Sequence, residues 1–484
     1  MKFSSRATNS CIALAAALLF AAPAALAQSP QVQGWLSRAD QQLLLATDPQ
    51  QFLRPAAPAA AVVRINSHDR FQTMQGFGYT LTGGSAMHLM ALPAAQRAAL
   101  LQELFGPQGI GVSYLRLSLG ASDLDPLPFS YNDLAPGETD PALKKFSLAP
   151  DEQLLIPLLK QILAIRPDLQ LLASPWSPPA WMKSNQSTVG GELLEQYYPV
   201  YAQYFVRYLQ GMAAHGIRIG AVTVQNEPLH PGNNPSLLMH AWDQATFVGK
   251  HLGPAFEQAG LATDILIYDH NPDHVEYPLA VLSDPVARRY IKGSAFHLYN
   301  GSITELSRLK AAYPDKDIYF TEQWVGANSD FGGTLMWHTE HLLIGAVEQH
   351  ARTVLEWNLA ADADYKPYTP GGCTECLGAL TITAAKNGAE ATIQRNVAYY
   401  VIAHAGKIAP PGSVRIGSKD PLPQLLQLAY QRPDGRVAVL LQNQADSAQT
   451  VRLALDQRAY DWSLQLPPHS VLSLILPAAA AGAK

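Results

Sequence analysis

The stretch Ala221-Val-Thr-Val-Gln-Asn-Glu-Pro228 joins an apolar, β-branched run to a polar ending, and this pattern recurs along the chain. A short run of this kind is typical of a buried strand when a loop and a helical segment follow it. About eight such runs lie between Gln75 and Leu359. They are Gly76 to Leu81, Tyr114 to Leu119, Leu169 to Trp176, Ala221 to Glu227, Ile265 to His270, Ser294 to Tyr299, Ile318 to Trp324 and Thr353 to Leu359.

Helical stretches with recognisable ends separate these runs. Pro93 precedes a helical stretch from Ala94 to Phe105 that stops at Gly106, and Ser302-Ile-Thr-Glu305 is a capping box. Eight alternations of strand and helix over about 300 residues predict a parallel sheet closed into a (β/α)8 TIM barrel, here residues 75–411. A doubly wound open sheet is the structural alternative, because alternation alone does not fix closure.

The chain after Gly412 has a different character, with short strand-like runs and a Pro433-Asp-Gly435 turn. Residues 61–74, just before the first barrel strand, have the same character. We therefore expect a small all-β sandwich domain formed by both chain ends, from residues 61–74 plus 412–477. Residues 28–60 are an N-terminal segment without an assigned fold, and residues 478–484 are a tail of small residues.

The first residues indicate export. Lys2 and Arg6 precede an apolar run, and Ala25-Leu-Ala27 before Gln28 is an A-x-A cleavage site, so residues 1–27 read as a secretory signal peptide. A membrane anchor is the alternative, but the apolar run is shorter than the ~20 residues of a spanning helix. The protein is therefore expected to be secreted or periplasmic, without an integral membrane segment.

The composition of the chain excludes one class of partner and limits the number of possible disulfides. Charged residues make up 15% of the chain and the net charge is −5, with no basic block that could neutralise a run of phosphates, which excludes nucleic acid as a partner. Once the signal peptide has been removed, Cys373 and Cys376 are the remaining cysteines. They could form a small disulfide clip, stay free thiols, or join other ligands in a metal site.

The carboxyl ends of the strands carry the chemistry in a barrel of this kind. Glu227 and Glu322 end the fourth and seventh runs and would face one another across the barrel mouth. Two carboxylates about 5 to 5.5 Å apart are the geometry of a retaining glycosidase, with one nucleophile and one acid/base. An ordinary salt bridge is the alternative for either residue taken alone.

Tryptophans near the same end favour a sugar ligand, because an aromatic face stacks on the apolar face of a pyranose. Trp176, Trp324 and Trp357 terminate predicted strands. A core role is the alternative for each, and a non-catalytic glycan-binding protein is the alternative function. The motifs of serine hydrolases and of nucleotide and dinucleotide binding are missing. Asp269, His270, Asp273 and His274 could suggest a metal, but we expect polar neighbours of the cleft, with no metal and no cofactor.

Several motifs in the right order resemble one family. They are Gln75-Gly-Phe-Gly78, Arg116 with Asp123, Ala173-Ser-Pro-Trp-Ser-Pro178, Asn226-Glu-Pro228, His297 with Tyr299, Thr321-Glu322 and Trp357-Asn-Leu-Ala360. The chain resembles glycoside hydrolase family 30, the group of lysosomal glucosylceramidase and bacterial and fungal β-1,6-glucanases, from about Gln75 to Pro411. The resemblance implies that Glu227 is the acid/base and Glu322 the nucleophile. It also implies a sugar subsite lined by Asp123, Trp176, Asn226, Tyr299 and Trp357, with Arg116 and His297 holding the carboxylates.

The match departs from the mammalian enzyme at Thr80 to Ser85 and at Glu227 to Asn234, and these stretches look more like those of secreted bacterial members. The implied substrate is a β-linked glucoside, with β-1,6-glucan or another β-glucan ahead of a glycolipid. A β-xylosidase or xylanase specificity would use the same mechanism and is the alternative. The sequence gives no indication of oligomeric state.

Overall fold

A closed barrel of eight parallel strands is the centre of the computed structural model, which describes residues 1, 32–57, 60–384, 390–418 and 422–477. The eighth strand pairs with the first, Thr353 opposite Gly76, so the barrel is confirmed and the open sheet is wrong. In chain order, the barrel strands are Gly76–Leu81, Tyr114–Ser118, Gln170–Ser174, Ala221–Thr223, Asp264–His270, Ile291–His297, Asp317–Glu322 and Ala351–Asn358.

Each barrel strand falls on one of the predicted runs, with one informative difference in length. The fourth strand ends at Thr223, four residues before the predicted end at Glu227. Glu227 has a left-handed backbone, with φ 44°, and its N–H donates to the carbonyl of Asp269. The chain therefore turns out of the ladder before the glutamate, as happens where an active site imposes a less favoured conformation.

Helices cover the outside of the barrel and bury their apolar faces against it. The predicted helix Ala94–Phe105 has the expected bounds. Ser302 caps Thr304, but the turn that follows, Ile303–Glu305, is a 3₁₀ helix that leads into the α-helix Leu306–Ala312. The other α-helices are Gly83–Ala91, Ala149–Glu152, Leu155–Ile165, Tyr198–Ala214, Ala241–Phe247, Gly253–Gln258, Glu276–Ser283, Pro285–Arg288, Phe331–His338 and Val397–Gly406. No helix in the described ranges is both long and apolar enough to cross a membrane.

The second domain is a β-sandwich of ten strands around its own apolar core. Its longest strand, Ala61–Thr73, pairs parallel with Gln449–Leu455 through its first residues and antiparallel with Val414–Ser418 through its last. A strand that changes partners in this way lets the sheet fold over its core. The remaining strands are Gln33–Arg38, Leu53–Pro55, Leu425–Gln431, Val437–Asn443, Arg458–Ala459, Trp462–Leu466 and Ser470–Ile475.

The N-terminal segment adds two strands to this domain that the sequence did not indicate. Gln33–Arg38 pairs with Ser470–Ile475, and Leu53–Pro55 pairs with Trp462–Leu466. Both chain ends therefore build the β domain, over a longer N-terminal stretch than residues 61–74. The predicted signal peptide, residues 1–27, and the tail, residues 478–484, lie outside the described part of the chain apart from Met1.

Candidate active site

The carboxyl ends of the barrel strands surround a cavity of about 370 Å³. That volume lies within the range of small-molecule sites in proteins. Its walls combine two glutamates, three tryptophans and several amide and imidazole side chains. The lining includes Asp123, Trp176, Asn226, Glu227, His230, Asn233, His270, Asn271, Tyr299, Glu322, Trp324 and Trp357. The five residues expected to line a sugar subsite are all among them.

Glu227 and Glu322 face one another in this cavity. Both side chains are largely buried, and one oxygen of each lies within 4.8 Å of the other and of a ring nitrogen of His297. Glu322 is the last residue of the seventh barrel strand, whereas Glu227 follows the fourth. The spacing matches the separation of about 5 Å found in retaining glycosidases, and it leaves no room for the water of an inverting one.

Arg116 fixes one member of the pair. Its guanidinium is fully buried and donates to Glu322 Oε2 at 2.5 Å, to Asp269 Oδ2 at 2.8 Å and to Asn226 Oδ1 at 2.6 Å. The hydroxyl of Tyr299 donates to the other oxygen, Glu322 Oε1, at 2.8 Å. Both oxygens of Glu322 therefore accept a hydrogen bond, one of them from a permanent cation.

His297 bridges the other member of the pair to the barrel interior. Its Nδ1 lies 3.0 Å from Glu227 Oε1 and its Nε2 lies 3.1 Å from Asp269 Oδ1. Burial lowers the pKa of His297, but Glu322, Asp269 and Glu227 together raise it to about 10. The ring is therefore an imidazolium that donates from both nitrogens. Although His297, Glu227 and Glu322 are close enough to bind an ion, an imidazolium has no lone pair to offer a metal.

Asp269 lies at the centre of the hydrogen bonds that Arg116 and His297 make. The sequence predicted it only as a polar neighbour of the cleft. Besides Arg116 and His297, it accepts hydrogen bonds from three hydroxyls, those of Ser174, Thr223 and Thr321. Burial raises its pKa, but Arg116 and His297 outweigh burial and hold the pKa well below its ordinary value. The carboxylate therefore pairs with both buried cations.

The other three residues of the polar cluster predicted from the sequence, His270, Asp273 and His274, do not all lie together. His270 lines the cavity with Nε2 3.9 Å from Glu227 Oε1, and burial lowers its pKa to about 4, so its ring is neutral. Asp273 Oδ2 and His274 Nε2 lie 3.8 Å apart outside the cavity, and the His274 side chain is 62% exposed.

Two tryptophans form the floor of the cavity. Trp176 and Trp357 are almost fully buried, and their ring centroids lie 5.4 Å apart with an angle of 31° between the planes. The guanidinium of Arg116 lies 4.7 Å from the centroid of Trp176. Because Arg116 both stacks on the floor and binds Glu322, it sets the height of the carboxylate above the aromatic surface.

Asp123 lines one side of the cavity, where a loop closed by a disulfide contacts it. Cys373 and Cys376 are joined in a disulfide, and the backbone N–H of Cys373 lies 3.2 Å from Asp123 Oδ2. Cys376 begins the short strand Cys376–Leu377, which pairs with Val325–Gly326 directly after the seventh barrel strand. Burial, and then the charge of Glu322, raise the pKa of Asp123 to about 7.

The carboxyl pair titrates as a coupled system. For Glu322, burial and the charge of Glu227 outweigh His297 and Arg116 and raise the pKa. For Glu227, burial is outweighed by His297, which lowers the pKa. Two carboxylates this close share a site in which one ionisation is disfavoured.

A (β/α)8 barrel that holds a buried carboxyl pair over an aromatic floor at its carboxyl face defines a retaining glycoside hydrolase. Comparison with known proteins agrees with this class. The Glycosyl hydrolase family 30 TIM-barrel domain matches residues 74–408, and the Glycosyl hydrolase family 30 beta sandwich domain matches residues 412–474. The chain belongs to glycoside hydrolase family 30.

Similar proteins share most of their length with this chain. The endo-1,6-beta-D-glucanase of Neurospora crassa is 33% identical over 432 residues, which cover 85% of this chain and 87% of that protein. The endo-1,6-beta-D-glucanase neg1 of Aspergillus fumigatus is 32% identical over 436 residues, covering 84% and 86%. The solved structure of the endo-beta1,6-glucanase BT3312 superposes with a TM-score of 0.86 at 33% identity, covering 93% of this chain and 99% of that one.

Proposed function

We propose that this enzyme hydrolyses β-1,6-linked glucan within the chain, with retention of configuration. The buried pair of Glu227 and Glu322, with oxygens within 4.8 Å, is the observation that carries the reaction type. The substrate rests on likeness to the two fungal endo-1,6-beta-D-glucanases and to BT3312, which extends over the barrel and the β domain alike.

Glu322 is the nucleophile in this proposal. Arg116 and Tyr299 each donate a hydrogen bond to one of its oxygens, and both contacts favour the charged form over the protonated one. A carboxylate held in this way has a fixed direction of attack on the anomeric carbon. The same argument supports Arg116 and Tyr299 as positioning groups for the nucleophile.

Glu227 is the acid/base. His297 contacts Oε1 of Glu227, which leaves the second oxygen to donate a proton to the glycosidic oxygen. Without a substrate, burial and the charge of Glu227 raise the pKa of Glu322 while His297 lowers the pKa of Glu227, which is the opposite of the order that the first step requires. We assign the proton of the pair to Glu227 once the sugar fills the cavity, because the leaving oxygen then gives that proton an acceptor while Arg116 continues to pair with Glu322.

The reaction has two displacements. In the first, Glu322 forms a bond to the anomeric carbon while Glu227 protonates the departing oxygen, so that the aglycone leaves as an alcohol. In the second, Glu227 takes a proton from water, and the hydroxide displaces Glu322 from the same face that the aglycone left. Each step inverts the anomeric centre, so the product retains the β configuration.

The sugar subsite lies between the clip and the tryptophan floor. Trp176 and Trp357 face the pyranose ring, Asp123 accepts from its hydroxyls, and Asn226 binds the 2-hydroxyl through its amide nitrogen, because its Oδ1 is occupied by Arg116. His230 and Asn233, in the stretch that departs from the mammalian enzyme, line the cavity near Glu227. Their polar side chains suit the hydroxyls of a second sugar better than a lipid.

The chain is exported in this proposal, with residues 1–27 removed as a signal peptide and the enzyme secreted or periplasmic. The mature protein then consists of the barrel, residues 75–411, and a β domain from both ends, residues 61–74 plus 412–477 with the two strands of the N-terminal segment. N-terminal sequencing of the exported protein tests the cleavage site. A first residue at Gln28 supports it, and an intact Met1 contradicts it.

A substrate panel tests the specificity. Purified enzyme and a Glu322→Gln control are incubated with pustulan, laminarin, xylan and glucosylceramide, and released reducing sugar is measured. We expect release from pustulan at a rate at least tenfold above every other substrate, with none from the control. Oligosaccharides of several lengths among the first products support cleavage within the chain. Faster release from xylan or glucosylceramide would refute the proposed substrate.

A further inference from the structure

A second groove lies at the junction of the barrel and the β domain. Two adjoining cavities of about 740 and 480 Å³ share five lining residues, Trp35, Thr47, Gln108, Gly109 and Lys407. Trp35 belongs to the N-terminal strand Gln33–Arg38, and the other walls come from the loop after the helix Ala94–Phe105 and from the end of the helix Val397–Gly406. The family resemblance gives no role to Trp35, which lies upstream of the matched barrel.

The groove is at the opposite end of the barrel from the catalytic cavity. Gln108 and Gly109 lie before the strand Tyr114–Ser118, and Arg166 lies before Gln170–Ser174, so these residues flank the amino ends of the strands. The two strands Tyr114–Ser118 and Gln170–Ser174 have five residues each and are about 16 Å long at ~3.3 Å per residue. A ligand in this groove therefore does not reach Glu227 or Glu322, and the groove is a separate site.

An aromatic wall with polar edges characterises the groove. Trp35 is half-buried, with Lys407 Nζ 5.3 Å from its ring centroid, and it lines both cavities. Exposed Thr47 and Gln108 stand beside it. Arg166 also lines the larger cavity, and its Nε lies 3.5 Å from Asp168 Oδ1 in an ion pair. A half-buried indole with exposed polar side chains beside it is suited to bind a sugar ring and its hydroxyls.

The cations of the groove already have partners. Arg432 and Arg436 both donate to Asp434, and Lys407 donates to the carbonyl of Gly109. An anionic ligand would have to compete with these contacts, whereas a neutral polyol can add hydrogen bonds to them. The chemistry of the groove therefore favours a neutral saccharide over a phosphate or an acidic polymer.

We propose that this groove is a remote binding site for a neutral β-glucan chain, with the sugar stacked on Trp35. The identity of that glucan as β-1,6-linked rests on the proposed function. A second contact with the polymer raises the concentration of cleavable linkages near the catalytic cavity without taking part in the reaction. The site therefore changes KM for long chains and leaves turnover of short substrates alone.

Paired variants test the proposal. Trp35→Ala removes the stacking surface, and Thr47→Trp fills the shared part of the groove without removing a buried side chain. Trp337→Ala is the matched control, because Trp337 is a partly exposed tryptophan stacked on His341 and lines neither this groove nor the catalytic cavity. Each change is also made in a Glu322→Gln background for affinity electrophoresis through gels that contain pustulan, laminarin or carboxymethylated glucan.

We expect Trp35→Ala and Thr47→Trp to raise KM for pustulan about five- to tenfold, with kcat and activity on an aryl β-glucoside unchanged. Retardation in the neutral glucan gels should fall for both variants and stay at the parent value for Trp337→Ala. Parent-like retardation of both groove variants would overturn the proposal, as would retardation by carboxymethylated glucan alone. A different outcome separates the two proposals. If pustulan is not hydrolysed, but Trp35→Ala is still retarded less than the parent enzyme in a gel that contains a neutral glucan, the binding site is supported and the proposed function is refuted.

Discussion

The charge on His297 makes a quantitative prediction about stability. A group whose pKa is raised in the folded state stabilises the fold fully below its unfolded pKa, and this contribution is lost as pH rises through the folded pKa. For His297 the two values are about 6.5 and about 10. At about 1.4 kcal/mol for each pH unit between them, the protonated ring contributes about 5 kcal/mol near pH 6, and this contribution disappears by about pH 10.

Guanidinium unfolding of the parent enzyme and of His297→Gln at pH 6, 7, 8, 9 and 10 measures the contribution of His297 together with the carboxylates it contacts, since groups outside this network titrate alike in both proteins. The difference in the free energy of unfolding should shrink steadily from pH 7 to pH 10 by several kcal/mol. Should His297→Gln fail to fold, the ring is followed by nitrogen NMR in the parent enzyme and should remain an imidazolium at pH 8. A pH-independent difference, or a neutral ring at pH 8, would refute the reasoning.

Three further predictions concern the network and the clip. Glu227→Ala should slow hydrolysis of poorly activated glycosides by ~10² to 10⁴ while it still turns over substrates with good leaving groups, and added azide should give a β-glycosyl azide by NMR. An α-glycosyl azide would reverse the role of Glu227. Asp269→Asn removes the buried carboxylate that Arg116 and His297 share and should lower the free energy of unfolding by about 3 to 5 kcal/mol in denaturant titration, whereas Asp273→Asn, outside the cavity, should change it by less than about 1 kcal/mol. An Asp269→Asn protein as stable as the parent would contradict the charge balance. Cys373→Ser with Cys376→Ser should lower stability by about 2 kcal/mol, the value for so short a loop, and should raise KM through the loosened contact to Asp123. Melting curves and kinetics that match the parent in both respects would show that the clip does not position Asp123.

The barrel and the carboxyl pair could be predicted because their signals are local. Each buried strand is a short apolar run, and strand order follows from the alternation with helices, so the carboxyl ends must meet at one face. Glu227 and Glu322 follow directly from that rule. The sugar-binding side chains required the family resemblance in addition, because a tryptophan at a strand end can equally well belong to the core.

The central role of Asp269 could not be read from the sequence. Tyr268 and Asp269 both have left-handed backbones, with φ 74° and 64°, at an irregularity in the pairing with the sixth strand. This local change of direction brings the carboxylate of Asp269 to Arg116 and His297, and no residue pattern predicts such a change. The strands Gln33–Arg38 and Leu53–Pro55 were missed for another reason, since their partners lie more than 400 positions away in the chain.

The stereochemistry of the first-formed product tests the central claim most directly. Proton NMR of the anomeric region, recorded within minutes of adding enzyme to a β-1,6-linked gluco-oligosaccharide, distinguishes the two anomers before they equilibrate. Displacement by Glu322 followed by hydrolysis predicts that the β anomer appears first and the α anomer only later, by mutarotation. If the α anomer appears first, the reaction inverts, and Glu322 is not the nucleophile.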